Sequence, residues 1–248
     1  MSEPWNIKTD DQRDVNSLPI FIIFCEDGEI EPDYFSFFAS PKIHVSPIRN
    51  CKKQHQQIDY ATDYCREHDL LEVRENGKEY LKLDDGAQVW CVFDRDKEIN
   101  DGKDTSFTDS ITMAETKGMR VAWSNDDFEL WILLHFEDVD PNDPVYKHRV
   151  KYYDRLTYIL SHIPAKNPIE ERLTRNPRFC YYDSMKKKNR FIDITFQHMK
   201  GQTHQAIDRA INLEKFHSNP SKPFHDQSPC TMVHYLVQEL IRLGGRMI

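Results

Sequence analysis

The sequence predicts an α/β fold, in which a small, mostly parallel β-sheet is flanked by helices and followed by a mainly helical C-terminal portion. Four strand-like runs lie before residue 125, and several are continuous stretches of β-branched and aromatic residues, which is typical of strands buried on both faces. Segments with apolar residues at helical spacing separate these runs. Such alternation favours parallel pairing, because parallel neighbours need a crossover connection.

The individual elements follow from local patterns. Pro32 suits the first turn of a helix, and Tyr34 and Phe38 follow it at helical spacing. The strands are predicted at residues 20–25, 42–48, 89–93 and 119–123, and helices at 31–39, 55–68, 108–117 and 126–136. Further helices are predicted at residues 146–161, 168–175, 202–217 and 229–243, with turns marked by proline and asparagine.

Charge divides the chain into two unlike portions. Among its 248 residues, positions 1–145 contain 15 Lys+Arg and 32 Asp+Glu, whereas positions 146–248 contain 18 and 9. An acidic portion suits divalent cations and a basic portion suits phosphate polymers, although each is equally typical of a solvated surface held near its complement. We therefore divide the chain into a polar tail at 1–17, an α/β domain at 18–145 and a basic helical portion at 146–248.

Several classes of protein are disfavoured. Glycine occurs 8 times, and neither GxGxxG nor GxxxxGK[ST] is present, so the two commonest phosphate loops are missing. The six cysteines have neither CxxC nor zinc-finger spacing, and no apolar stretch has the length of a membrane span. We expect a cytoplasmic protein with reduced thiols and no membrane association.

Acidic residues follow two of the predicted buried strands. Glu26 ends the first run, and Asp94 and Asp96 end the third. Ligands of open parallel sheets gather at the carboxyl ends of the strands, and carboxylates there suit Mg²⁺ (or Mn²⁺) together with substrate phosphates. The alternative is that these acids are solvated loop residues or helix caps.

Two residues of the predicted helix at 126–136 have both structural and functional interpretations. Glu129 lies three residues after Asp126, the spacing of a capping box, but it is also a candidate catalytic residue. His135 lies on an apolar helix and is expected to be an interior histidine with satisfied hydrogen bonds.

A basic and aromatic stretch lies at residues 172–190. Basic side chains bind phosphates and flat rings stack on unpaired bases, so this stretch is a candidate nucleic-acid face; a solvated surface and a contact to an acidic partner remain alternatives. One lysine of 186–188 is a candidate for stabilising charge on a reacting phosphate, and Lys186 is taken as the catalytic candidate. The proposed nucleic-acid-binding residues are Arg172, Arg175, Arg178, Tyr181, Tyr182, Lys187, Lys188 and Arg190.

Four ordered segments resemble the RloB-like, abortive-infection Toprim proteins. They read FIIFCEDGEIEPDYF, VWCVFDRDKE, AWSNDDFELWILLHF and NPSKPFHDQSPCTMVHYLVQEL, against family patterns of roughly CEGxxTEPxYF, FDRD, SNPxFELWLLLHF and a late NPxT segment. Three positions depart from these patterns: Asp27 replaces a glycine, Ile30 replaces a threonine, and Asp126 replaces a proline.

The resemblance implies a Toprim fold over residues 18–145, with Glu26 matching the family's glutamate and Asp94 and Asp96 its Asp-x-Asp. It also implies an anti-phage nuclease toxin that acts with an AAA or ABC-type ATPase and pairs as a homodimer. Related PARIS-type effectors cut tRNA, so host RNA, tRNA included, or DNA is the expected substrate.

Two other hypotheses come from different classes. The first is a non-catalytic adaptor that docks on the ATPase and senses nucleic acid, which Asp27 in the first loop favours. The second is a haloacid-dehalogenase-type phosphatase, but that chemistry needs its Asp-x-Asp after the first strand, and here the pair follows the third.

Overall fold

The computed structural model describes residues 18–83, 86–96, 104–219 and 221–248, so the predicted tail at 1–17 lies outside the described residues. The strands are β1 (Ile20–Cys25), β2 (His44–Arg49), β3 (Leu71–Val73), β4 (Glu79–Leu81), β5 (Gln88–Asp94), β6 (Arg120–Asn125) and β7 (Cys230–Thr231). The α-helices are α1 (Ile30–Ser36), α2 (Gln54–Glu67), α3 (Asp104–Thr116), α4 (Glu129–Leu134), α5 (Arg149–His162), α6 (Pro168–Thr174), α7 (Tyr181–Met185), α8 (Lys188–Arg190), α9 (Phe196–Met199), α10 (Thr203–Phe216) and α11 (Val233–Gly244).

The main sheet has five strands in the order β2-β1-β5-β6-β7. The first four pair in parallel, and β7 pairs antiparallel with β6. The two central strands, β1 and β5, are the chain's most apolar runs, as expected for strands covered by helices on both faces. The predicted α/β class is confirmed, and the arrangement is consistent with a Toprim-like fold.

The structure adds two strand features that the patterns did not predict. A hairpin of β3 and β4 follows α2 and pairs Leu71 with Leu81, where the sequence suggested only a polar stretch. Its strands have three residues each, too short for an alternating pattern, and the turn contains Gly77 at φ +73°. The second feature is β7, whose two residues lie where a helix was predicted.

The basic C-terminal portion packs on the same core as the sheet. One buried apolar cluster includes Phe21 of β1, Trp131 of α4, Tyr152 of α5 and Leu236 of α11. Residues 191–195 form a turn of π-helix between α8 and α9, and 3₁₀ turns occupy Pro144–Lys147 and Phe224–Asp226. The boundary at 145/146 thus separates two regions of charge but not two hydrophobic cores.

Helix α4 is shorter than predicted, and it lacks the predicted capping box. Its N-cap residue is Phe128, with no side-chain cap hydrogen bond, while the carboxylate of Asp126 accepts hydrogen bonds from Arg149. The buried acids before α4 therefore form ion pairs with Arg149 and do not cap the helix.

Among the described residues, no helix combines the length and the apolar character needed to cross a bilayer.

His135 follows α4 and is an interior residue, as expected, but its hydrogen bonds are not all satisfied, because Nε2 is buried without a hydrogen-bond partner among the described residues. Its side chain is buried, Nδ1 lies 2.9 Å from the carbonyl oxygen of Trp131, and the ring meets that of Tyr34 edge to face. Burial lowers the pKa of His135 to about 4, so the ring is neutral near pH 7.

Candidate functional site

A pocket of about 480 Å³ lies at the carboxyl ends of β1, β5 and β6. This is the edge at which parallel sheets bind their ligands, because loops from neighbouring strands converge there. Acidic side chains dominate the lining, and cationic ones stand among them. The acids are Glu26, Asp27, Glu29, Glu31, Asp94, Asp96, Asp127 and Glu129, and the cations are Lys53, Arg149 and Lys186.

Glu26 and Asp94 lie side by side at the ends of adjacent strands. The Asp94 backbone N–H donates to Oε2 of Glu26 at 3.1 Å. Burial, reinforced by the charge of Asp96, raises the pKa of Glu26 to about 8. The pKa of Asp94 is raised well above its usual range, by burial and then by the surrounding carboxylates. Its Oδ1 is buried without a hydrogen-bond partner among the described residues. The pocket therefore gathers carboxyl groups whose charged forms are disfavoured by burial and by one another.

Asp96 is compensated by two cations. Nη1 of Arg149 donates to its Oδ1 at 2.5 Å, and the ammonium of Lys53 contacts its Oδ2. These contacts outweigh the effect of burial and lower the pKa of Asp96. The residue has φ +51°, a left-handed conformation that aspartate tolerates better than most residues and that turns the chain sharply at the end of β5.

Arg149, the first residue of α5, ties three acids together. Besides Asp96, its guanidinium lies 2.9 Å from Oδ1 of Asp126 and 3.2 Å from Oδ2 of Asp127. Both of these acids are buried and directly follow β6. Arg149 thus joins the ends of β5 and β6 to the basic C-terminal portion. Its charge also offsets the cost of burying Asp126 and Asp127.

Asp127, Glu129 and Lys186 form a second group of charged residues in the pocket lining. The two acids are buried, and the lysine side chain is partly exposed. Burial and the charge of Asp127 raise the pKa of Glu129 well above its usual range, whereas the hydrogen bond from Glu129 and the charge of Lys186 overcome burial and lower the pKa of Asp127. The pKa values of these two neighbouring acids are thus shifted in opposite directions. Nζ of Lys186 lies 3.0 Å from Glu129, and the hydroxyl of Tyr153 donates to Asp127.

The first loop closes through its own side chains. Asp27, which stands where the resembling proteins carry glycine, accepts from the backbone N–H of Glu29 at 2.7 Å, and its own N–H donates to Glu31 at 3.1 Å. The glycine is displaced by one position, and a Cβ added to Gly28 would lie 2.9 Å from Sγ of Cys51. Close packing between the loop and residue 51 therefore requires glycine at position 28.

The oxygen-rich pocket has the chemistry of a divalent-cation site. Among the described residues, no group of three or more acidic, histidine or cysteine side chains is arranged to hold a metal ion, and Asp96 faces Lys53 and Arg149. The donor set nevertheless fits Mg²⁺ or Mn²⁺ in kind: hard carboxylate oxygens, one of them the buried, unpartnered Oδ1 of Asp94. Glu26, Asp94 and Asp96 are the residues that would hold such an ion.

The basic and aromatic stretch divides into buried and exposed members. The prediction of base stacking is wrong for Tyr181, whose ring is fully buried in the core, and Lys186 points into the acidic pocket. Arg175 donates to the carbonyl oxygens of Ser161 and Ile163, while the side chain of Lys188 lies outside the described residues. The exposed members are Arg172, Arg175, Arg178, Tyr182, Lys187 and Arg190.

Tyr182 is an exposed aromatic residue that lies close to Tyr153 and Lys186. Its ring centroid lies 5.1 Å from that of Tyr153, and Nζ of Lys186 lies 5.8 Å from its centroid. About half of the Tyr182 side chain is exposed. A partly exposed aromatic side chain thus lies beside a lysine that reaches the acids of the pocket.

Sequence reasoning missed Lys53, Arg149 and Asp127. Asp127 had a signal, because two acids directly follow a buried strand in SNDDFELW, but the capping interpretation drew attention to Asp126. Lys53 and Arg149 lie at the N-terminal ends of two different helices, α2 and α5, and no spacing relates them to Asp96. Tertiary packing alone brings these cations to the strand ends.

The fold and the pocket together define an α/β protein with a buried acidic site at the carboxyl edge of a mainly parallel sheet. The family model described as RloB-like protein matches residues 21–240. The chain therefore belongs to the RloB-like family, and the match spans both charge regions. No curated protein and no solved structure matches the chain.

Proposed function

We propose that this protein is a Toprim-type nuclease that uses Mg²⁺ (or Mn²⁺) to hydrolyse phosphodiester bonds of RNA, tRNA included, or of DNA. The observation that carries the proposal is the acidic pocket, with the unpartnered Oδ1 of Asp94 between Glu26 and Asp96. Membership of the RloB-like family supports it. In this proposal the protein is the toxin of an abortive-infection system, released or activated by a partner ATPase, and it acts as a homodimer.

The roles of the residues follow from their positions. Glu26, Asp94 and Asp96 would hold the cation, which supplies Lewis-acid stabilisation of charge developing on the phosphate oxygens. The ammonium of Lys186 lies 3.8 Å from Asp127 and 3.0 Å from Glu129, where it is placed to stabilise charge on a phosphate as well. Burial and the charge of Asp127 raise the pKa of Glu129, which suits a general acid.

The experiment that tests the function combines binding with cleavage. Purified protein is titrated with Mn²⁺ by calorimetry and incubated with RNA and DNA, and new 5′ and 3′ ends are sequenced. We expect the wild type to bind the metal and to produce new ends, and Glu26→Gln to do neither. Glu67→Gln, which changes an exposed acid at the end of α2, is the matched control. A folded wild type without metal binding would overturn the proposal.

A second candidate function is the non-catalytic adaptor that senses nucleic acid for the ATPase. The observation that favours it is the pairing of Asp96 with Lys53 and Arg149, which leaves that carboxylate neutralised without a metal. In this case Glu26→Gln leaves toxicity and phage defence unchanged in cells that also express the ATPase. Loss of both in Glu26→Gln cells, with the protein still folded and abundant, would rule the adaptor out.

Tyr182 provides a prediction about the strand that binds. Tyr182→Ala is expected to weaken binding of single-stranded nucleic acid about 5- to 100-fold, because stacking one base on an aromatic ring contributes about 1–3 kcal/mol. Tyr158→Ala is the control, since Tyr158 is similarly exposed on α5 but stacks on His162. Fluorescence anisotropy with a labelled oligonucleotide measures both. Equal loss in the two variants would contradict a specific stacking role.

A further inference from the structure

Lys53 touches two of the three residues proposed to hold the metal. It is the N-cap residue of α2, and its ammonium contacts Oδ2 of Asp96 and lies 3.7 Å from Oε1 of Glu26. The side chain is 63% exposed, so its charge sits at the mouth of the pocket. It occupies carboxylate oxygens that a divalent cation would need.

Arg149 binds the same aspartate, but it is fixed in a way that Lys53 is not. Its guanidinium contacts Asp96, Asp126 and Asp127 together, and its side chain is 24% exposed against 63% for Lys53. Freeing it would take the closest cation away from two buried carboxylates, which is costly. Of these two cations, Lys53 is the one that can leave at small cost.

The backbone beside Lys53 is anchored at the end of β5. The side-chain amide of Gln54 is buried and donates to the carbonyl oxygen of Arg95 at 3.1 Å. The backbone of Lys53 is therefore held near Asp96, while its flexible side chain can turn towards solvent. An ammonium released from Asp96 thus remains at the pocket mouth, where it is placed to bind a phosphate as a point charge.

We propose that Lys53 is an exchangeable counter-cation: it neutralises Asp96 beside Glu26 in the metal-free protein and binds a backbone phosphate of the nucleic acid once a divalent cation takes its place. The proposal rests on the proposed nuclease function and deepens it. The ammonium of Lys53 and the divalent cation compete for the same carboxylate oxygens. Removing the charge of Lys53 should therefore raise the affinity for the metal and lower the affinity for the phosphate.

The first test is calorimetric titration of the full chain with Mn²⁺. We expect Lys53→Met to raise the affinity about tenfold, since a charge within about 4–6 Å shifts the occupancy of a neighbouring ionic site by one or more powers of ten. Lys53→Arg keeps the charge and is expected to bind Mn²⁺ as the wild type does. Lys52→Met, a change at an exposed neighbour, is the control. Lys53→Gln serves as a second neutral variant.

The second test measures binding of labelled single-stranded RNA with Ca²⁺ in place of Mg²⁺, over a range of salt concentrations. Lys53→Met is expected to bind about tenfold more weakly and to reduce the slope of log K against log salt by about 0.7, the value for one lost phosphate contact on a single strand. Lys53→Arg should restore both quantities. Lys78→Met, exposed on the β3–β4 turn, is the control.

The outcomes separate this inference from the proposed function. If wild type and Lys53→Met bind Mn²⁺ equally and the wild type cuts nucleic acid, the nuclease stands and the exchange is overturned. If neither protein binds Mn²⁺ nor cuts, both fail. If Lys53→Met binds Mn²⁺ more tightly but RNA as well as the wild type does, the exchange is overturned at its phosphate step.

Discussion

An Asp94→Asn variant is expected to lose about 10³-fold in cleavage rate, since a lost metal-ligand interaction of several kcal/mol corresponds to about this factor. The fold should persist, because burial raises the pKa of Asp94 well above its usual range and so already opposes the charged form, and asparagine keeps the shape of the side chain without the charge. Loss of activity is therefore expected without loss of structure.

Denaturant unfolding with and without Mg²⁺ tests this prediction independently of cleavage. At a metal concentration of 100 times Kd, the wild type should gain about 2.7 kcal/mol in free energy of unfolding, and Asp94→Asn should gain almost none. Asp109→Asn, an exposed acid on α3, should behave as the wild type. Full metal stabilisation of Asp94→Asn would show that Asp94 is not a ligand.

Arg149→Met is expected to reduce the free energy of unfolding by about 3–5 kcal/mol, the usual effect of removing one partner from a buried ion pair. Asp126 and Asp127 are buried, and without the guanidinium their charges lose the closest cation. Methionine keeps much of the apolar stem, so the loss reports on charge more than on packing.

The matched control for this prediction is Arg66→Met. Arg66 also contacts two acids, Asp63 and Glu79, but its side chain is 50% exposed, so a change of about 0–1 kcal/mol is expected. Adding Asp126→Asn to Arg149→Met should recover part of the stability, and a double-mutant cycle measures the coupling. A loss for Arg149→Met no larger than for Arg66→Met would contradict the buried-network interpretation.

Much of the fold was predictable because the strands are strongly apolar. Strand β1 has the predicted bounds, and β5 and β6 differ by one or two residues at their ends. Glu26, Asp94 and Asp96 were predicted to meet, and they line one pocket, because parallel strands bring their carboxyl ends to a common edge. The order of residue types along a buried strand was sufficient for these inferences.

The remaining features depend on which of two adjacent residues is buried or on contacts between residues far apart in the sequence. Tyr181 and Tyr182 share a five-residue helix, and packing alone decides that the first is buried and the second exposed. Asp126 and Asp127 are likewise adjacent residues of the same type, and no sequence pattern distinguishes their contacts. Strand β7 has two residues, and its position is set by β6, more than a hundred residues away, so no local pattern marks it.

The pairing of β7 with β6 also has a consequence for the order in which the site is assembled during synthesis. The amide of Asn125, at the end of β6, donates to the carbonyl oxygens of Phe224 and His225, and Asn125 pairs with Cys230. A chain emerging from the ribosome therefore has β1, β5 and their acids in place well before the segment that holds the end of β6. Because contacts of such long sequence separation form late, the nascent protein carries an incomplete pocket until residue 230 has been made.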